Sequence, residues 1–235
     1  SGIVSAGRRG PDLPALVLAA LAALAAAIIS HVVFGRIPHV QDSIAQLFQG
    51  RIFADGRLWA PAPPFRECFD YTHMLIDRGR WYSQYPPGHA LLLVPGIWLG
   101  VPWLTNPLLG GVSIYGTFLL GRALFGRAAG RLAAVLGLLS PFLLLMAAEF
   151  MAHVSALAAL TYFLVFLVRA LRPAEDPADL RQAAGRRRDG MLAGACLLLG
   201  VLIRPFTAFA VAVPAFLYAL WLLRRDRGGM PALVW

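Results

Sequence analysis

A lone carboxylate at the mouth of an apolar run can act as a general base, and Asp42 has that setting in His39-Val-Gln-Asp42-Ser-Ile-Ala-Gln46. The same residues also spell a helix start, because Ser43-Ile-Ala-Gln46 has the form of a capping box. Spacing alone favours the cap, and a cap can still be a base. Asp70, His73 and Asp77 fall within eight residues and offer oxygen and nitrogen ligands to a divalent cation. Loop carboxylates are usually just solvated, and no strict metal spacing is present. Arg78 and Arg80 can hold a phosphate through charge-assisted bonds or contact lipid headgroups. Tyr85 and His89 bracket Pro86-Pro87-Gly88, where the backbone stiffens and then gains freedom, as suits a chain turning back to a membrane. Both are candidate substrate contacts. Trp81, Tyr82, Tyr85, Trp98 and Trp103 can stack on a sugar or a prenyl chain, although interfacial anchoring is the commoner use of such residues.

Farther on, Glu149 and His153 fall at the outer end of the third and fourth expected spans and are candidate substrate contacts, and Arg204 interrupts a run that is otherwise free of charge from Gly190 to Leu223. A charge inside such a run costs roughly 2.5–3.5 kcal/mol at the bilayer centre, so it is a functional candidate by default. Arg204-Pro205 is also a natural helix break, which gives the arginine a structural use.

The elements that must position these residues are membrane helices. The 235 residues are 59% hydrophobic and 14% charged with a mean hydropathy of +0.67, whereas soluble domains hold about 25% charged residues. The fold class expected is an all-α integral membrane protein. All 21 basic residues are Arg, scattered between apolar runs, so the net charge of +9 points to membrane flanks and not to nucleic acid. Cys68 and Cys196 form neither a disulfide framework nor a metal pattern. The chain opens on Ser1 and closes on Met230–Trp235, which reads as the start of another apolar segment, so a single membrane domain within a longer protein is expected.

Leu13–Phe34 is 22 residues without a formal charge, and about 20 suffice to cross. Asp42–Ala54 has Ile44, Leu47, Phe48 and Ile52 on one side and Gln46 and Gln49 on the other, the pattern of an interfacial helix. Trp81–Gly121 holds 41 residues without a formal charge, but Pro and Gly break up its first half. His89–Leu104 is therefore expected to run along the surface and Thr105–Phe125 to cross. Further spans are expected at Leu132–Ala148, Phe150–Val168, Gly190–Ile203 and Pro205–Leu223. Six spans with both termini inside leave fourteen of the 21 Arg on the cytoplasmic side. Residues 35–89 then form the first extracytoplasmic loop, with interfacial juxtamembrane helices, and residues 169–189 a cytoplasmic loop.

Taken in order, these features resemble the N-terminal half of the polyprenyl-phosphate-sugar-dependent glycosyltransferases of the C-type membrane fold, the superfamily of protein mannosyltransferases and the lipid A aminoarabinose transferase. The carriers are the first span, Asp42-Ser43, Gly50-Arg-Ile-Phe-Ala-Asp-Gly56, Tyr85-Pro-Pro-Gly-His89, Gly121-Arg-Ala-Leu-Phe-Gly-Arg127, Ser140-Pro141 and Arg204-Pro-Phe206. The resemblance implies that Asp42 assists deprotonation of an acceptor hydroxyl and that Arg204 meets the donor phosphate. It also implies transfer on the extracytoplasmic face of a bacterial inner membrane, from a polyprenyl-phosphate-linked sugar to a lipid, glycan or protein acceptor. Many members carry two adjacent acids where this chain has Asp42-Ser43, so either Asp42 acts alone or Asp70 or Glu149 supplies a second carboxylate. A divalent cation is the one cofactor the residues leave open. Two other classes fit the same composition: a permease or flippase, which needs broken spans and acids near mid-membrane, and a non-enzymatic assembly protein.

Overall fold

The computed structural model describes residues 11–69, 71–171 and 180–227. Helix α1 (Leu13–Val32) starts where Asp12 accepts a hydrogen bond from the Ala15 N–H at 3.3 Å, with Pro14 in the first turn. Ala15, Ala19, Ala22, Ala26 and Ser30 make its buried stripe, while Leu16, Val17, Leu21, Leu24 and Ile28 are exposed. That stripe lets α4 (Thr105–Phe125) come close: a Cβ on Gly111 would sit 2.7 Å from the Ala19 carbonyl oxygen. The α4 helix then turns at Gly126 into α5 (Arg127–Leu138), and Phe118, Ile114, Ala134 and Val165 fill the core beside the stripe.

Asp12 fixes this end of the bundle. Arg131 donates to its two oxygens at 3.1 and 3.0 Å, and Arg127 lies 3.5 Å away. The Arg131 bonds hold the Asp12 carboxyl below the usual carboxylate range against the opposing effect of burial. The start of α1 and the α4–α5 corner therefore share one end, as the Arg parity requires.

At the other end, α2 (Gln41–Ala54) leads into a small antiparallel sheet of β1 (Ala60–Pro61), β2 (Met74–Asp77) and β3 (Arg80–Ser83), in the order β1-β3-β2. This sheet is absent from the sequence expectation. Its β2–β3 turn is Arg78-Gly79 with φ of 47° and 79°, the two positive values of a type I′ hairpin. Helix α3 (Pro87–Trp98) follows and, at 12 residues, is too short to cross.

Helices α6 (Pro141–Ala148), α7 (Ala152–Ala170), α8 (Leu180–Ile203) and α9 (Pro205–Arg227) complete the described chain. Among the described residues four helices are long and apolar enough to cross a membrane: Leu13–Val32, Pro102–Phe125, Ala152–Ala170 and Pro205–Leu222. The α5–α6 pair makes a fifth if counted as one bent span. Among the described residues the six expected continuous spans are not found. The expected span at Leu132–Ala148 is broken by 63°, because Ser140 caps α6 through the Leu143 N–H at 3.4 Å and Pro141 opens it. The span expected at Gly190–Ile203 belongs to α8, whose first turns carry Arg186, Arg187, Arg188 and Asp189. Residues 180–189 are thus helical rather than loop, and residues 172–179 lie outside the described chain.

Candidate active site

No side chain caps α2, whose N-cap is Val40. The Asp42 carboxylate turns instead to the loop: the Tyr85 hydroxyl donates to Asp42 Oδ1, and His73 Nε2 lies 3.3 Å from the same oxygen. Ser43 is buried and its hydroxyl has no partner, so the capping-box reading fails. Desolvation, reinforced by the bond to Asp42, pushes the Tyr85 phenol up to about 12. Tyr85 therefore remains a donor throughout the physiological range.

The sheet brings His73 to Asp42. Met74 pairs with Ser83, which sets His73 opposite Gln84; the Gln84 N–H donates to the His73 carbonyl at 3.1 Å. Side chains repeat the pairing, with Gln84 Nε2 2.5 Å from His73 Nδ1. The sheet is in turn pinned to α2 by Gln49, which donates to the Leu58 carbonyl at 3.1 Å and accepts from the Ser83 N–H at 2.9 Å. Gln46 and Gln49 are both buried, which corrects the expectation that they form the wet side of an interfacial helix. A buried glutamine is not visible as such in a periodicity; what Gln49 satisfies is backbone, and backbone partners leave no sequence mark.

Arg204 sits half-buried at the break between α8 and α9, and among the described residues its guanidinium has no hydrogen bond or ion pair. It lies close enough to Tyr85 and His153 to act on both electrostatically, and His153 likewise feels Asp42. The His153 Nδ1 is buried without a partner. Both residues line a cavity of about 370 Å³ that continues between α6, α7 and α9 along Phe142, Met146, Leu157, Leu160, Leu164 and Val211. Asp42, His73, Tyr85, His153 and Arg204 thus gather at one end of the bundle, opposite Asp12.

Other candidates have different partners. Both Glu149 oxygens are occupied, accepting from the His39 and Phe150 N–H groups at 3.2 Å each, so this buried carboxylate ties the α6–α7 corner to the segment after α1. His89 is fully buried; its Nε2 donates to the Phe150 carbonyl at 3.0 Å and Ser155 Oγ lies 2.9 Å from Nδ1. Burial pushes His89 down to about 4, so it is a neutral link between α3 and α7. Arg80 stacks on Trp59 at 4.3 Å and Arg78 is exposed in the hairpin turn; neither reaches Asp42. Trp81 packs between Phe48 and Phe69 at 4.4 and 5.5 Å.

Asp77 stands at the end of β2 while His73 faces Asp42, and Asp70 lies outside the described residues. Among the described residues no three His, Cys, Asp or Glu side chains group as a metal site. No family model, curated protein or solved structure matches this chain.

Proposed function

We propose that this chain is the catalytic part of a membrane glycosyltransferase that moves a sugar from a polyprenyl-phosphate donor to an acceptor hydroxyl on the extracytoplasmic face of a bacterial inner membrane. The observation that supports it is a carboxylate and an unpaired guanidinium at one end of the bundle, with an apolar cavity running away from the guanidinium. Asp42 takes the proton of the acceptor hydroxyl while the acceptor oxygen bonds to the sugar C1. The bond from C1 to the phosphate oxygen breaks, and its electron pair leaves with the polyprenyl phosphate. Arg204, with His153 beside it, meets the negative charge that grows there. The first turns of the prenyl chain lie in the cavity.

Asp42→Asn keeps the shape of the side chain and removes its basicity, so it lowers transfer by about 10²–10⁴-fold with the protein still folded. Arg204→Gln weakens use of the donor. Sugar release from radiolabelled undecaprenyl-phosphate hexoses and pentoses, added to the full-length protein in nanodiscs, measures both. Wild-type transfer by Asp42→Asn would sink the base assignment.

The 63° break between α5 and α6 is the one observation that favours a permease instead. Uptake of labelled sugar into proteoliposomes without any glycosylated product would select that reading.

A further inference from the structure

We infer that His73 is a positioning residue for the Asp42 carboxylate, fixing Oδ1 so that Oδ2 is the oxygen presented to substrate. The inference rests on the reading of Asp42 as the base. Tyr85 and His73 both engage Oδ1, and among the described residues no group bonds Oδ2. A carboxylate turns easily about its last torsion, whose preference is broad. Two donors on a single oxygen, one from the start of the hairpin and one from just ahead of α3, remove that freedom. Asp42 is the more open of the pair, its side chain 40% exposed against 26% for His73, so the free oxygen has access to a ligand while the imidazole stands behind.

The imidazole is itself held on its far side. Gln84 Nε2 approaches Nδ1 at 2.5 Å, which leaves that nitrogen as acceptor and puts the ring proton on Nε2, toward Asp42. The ring also packs against Tyr85 with centroids 5.4 Å apart. The charged or titratable groups facing Asp42 are His73 from the hairpin, Tyr85 ahead of α3 and His153 from α7, and Arg204 between α8 and α9 acts in turn on Tyr85 and His153. Of the two histidines, His73 makes the direct contact. The hairpin thus has a use beyond covering α2: its register delivers an oriented donor to the base.

A misplacement of about 1 Å can cost 10²-fold in rate, so His73→Ala is expected to lower kcat by about 10–100-fold and leave the KM for the undecaprenyl-phosphate sugar unchanged. His73→Gln, which puts an amide N–H where Nε2 was, recovers most of the rate. In the Asp42→Asn background His73→Ala has no further effect, because a residue acting through Asp42 is not additive with it. Additive losses, or a His73→Gln variant as slow as His73→Ala, would overturn the inference. A second readout does not require turnover: in the full-length protein labelled with [15N]histidine, the resonance lost in His73→Gln has the Nε2–H tautomer and shifts in Asp42→Asn. If that resonance ignores Asp42→Asn, the inference fails whatever the kinetics. If it shifts while Asp42→Asn transfers sugar at the wild-type rate, the contact stands and the base assignment fails.

Discussion

Gly88→Ala probes the joint that sets Tyr85 against Asp42. A Cβ at residue 88 would lie 2.7 Å from both the carbonyl carbon and oxygen of Leu202 and 2.8 Å from Ile203 Cγ1. Ordinary contact begins at 3.4 Å, and two of the three atoms are backbone, so no side-chain rotation relieves the overlap. The α3 helix must retreat from α8 by about 0.7 Å or more. His89, the next residue, is fully buried, and its bonds to Phe150 and Ser155, now 3.0 and 2.9 Å, then stretch past hydrogen-bonding range. Overpacking of this kind costs about 1–3 kcal/mol and a strained buried bond adds about 1 kcal/mol, so we expect a loss of about 2–4 kcal/mol. Tyr85, three residues upstream, moves with the helix, so transfer falls as well. Gly194→Ala in α8 is the control, since nothing lies within 4 Å of its Cβ, and it should stabilise by about 0.5–1 kcal/mol through helix propensity. SDS titration of the two variants in mixed micelles, followed by tryptophan fluorescence, reads both effects. A Gly88→Ala protein as stable as wild type would refute the close approach of α3 and α8.

Topology can be tested by labelling in a background with Cys68→Ser and Cys196→Ser, because Cys68 is itself exposed in the expected outer loop: Cys at Asp55, beyond α2, should react with an impermeant thiol reagent in intact cells, and Cys at Ala184, early in α8, should not. The reverse pattern would put the site on the cytoplasmic face. Asp12→Asn retains the cap on α1 but removes the charge that Arg131 and Arg127 hold, and should cost about 1.5–3 kcal/mol at neutral pH. Because the folded Asp12 value is depressed, its contribution is complete above about pH 4 and is lost as pH falls through the lower native value. As pH falls from about 4 through that lower native value the wild type should therefore approach the variant, and a difference that does not shrink over this range would mean that the charge is not what Asp12 supplies.

The long apolar helices were legible because hydropathy and length specify them: the sequence expectation Thr105–Phe125 coincides with α4, and Pro205 opens α9 as the Arg204-Pro205 break implies. What the sequence hid was everything fixed by contacts between distant segments. Asp42 reads as a cap by spacing, yet its partner Tyr85 is 43 residues away. The hairpin was legible in part, since Met74–Asp77 and Arg80–Ser83 are strand-forming runs on either side of Arg78-Gly79, but a polar loop with few alternations gives it weak support. Glu149 and His89 illustrate the opposite limit. Both attract attention as ionisable residues among apolar ones, and both prove to be bonded to backbone or serine partners that a list of charges does not contain.

The cavity beside Arg204 is walled in part by residues that face outward: Phe142 is 67% exposed and Leu157 38%. In a chain that spans a membrane, such an outward apolar face borders acyl chains rather than water. A ligand with a greasy tail can then slide in sideways from the leaflet without ever becoming dissolved. Encounter becomes a two-dimensional search, and the relevant concentration is a mole fraction of lipid. An apparent KM measured in detergent would accordingly rise as empty micelles are added at constant ligand, a dilution to which a binding site open only to water would be indifferent.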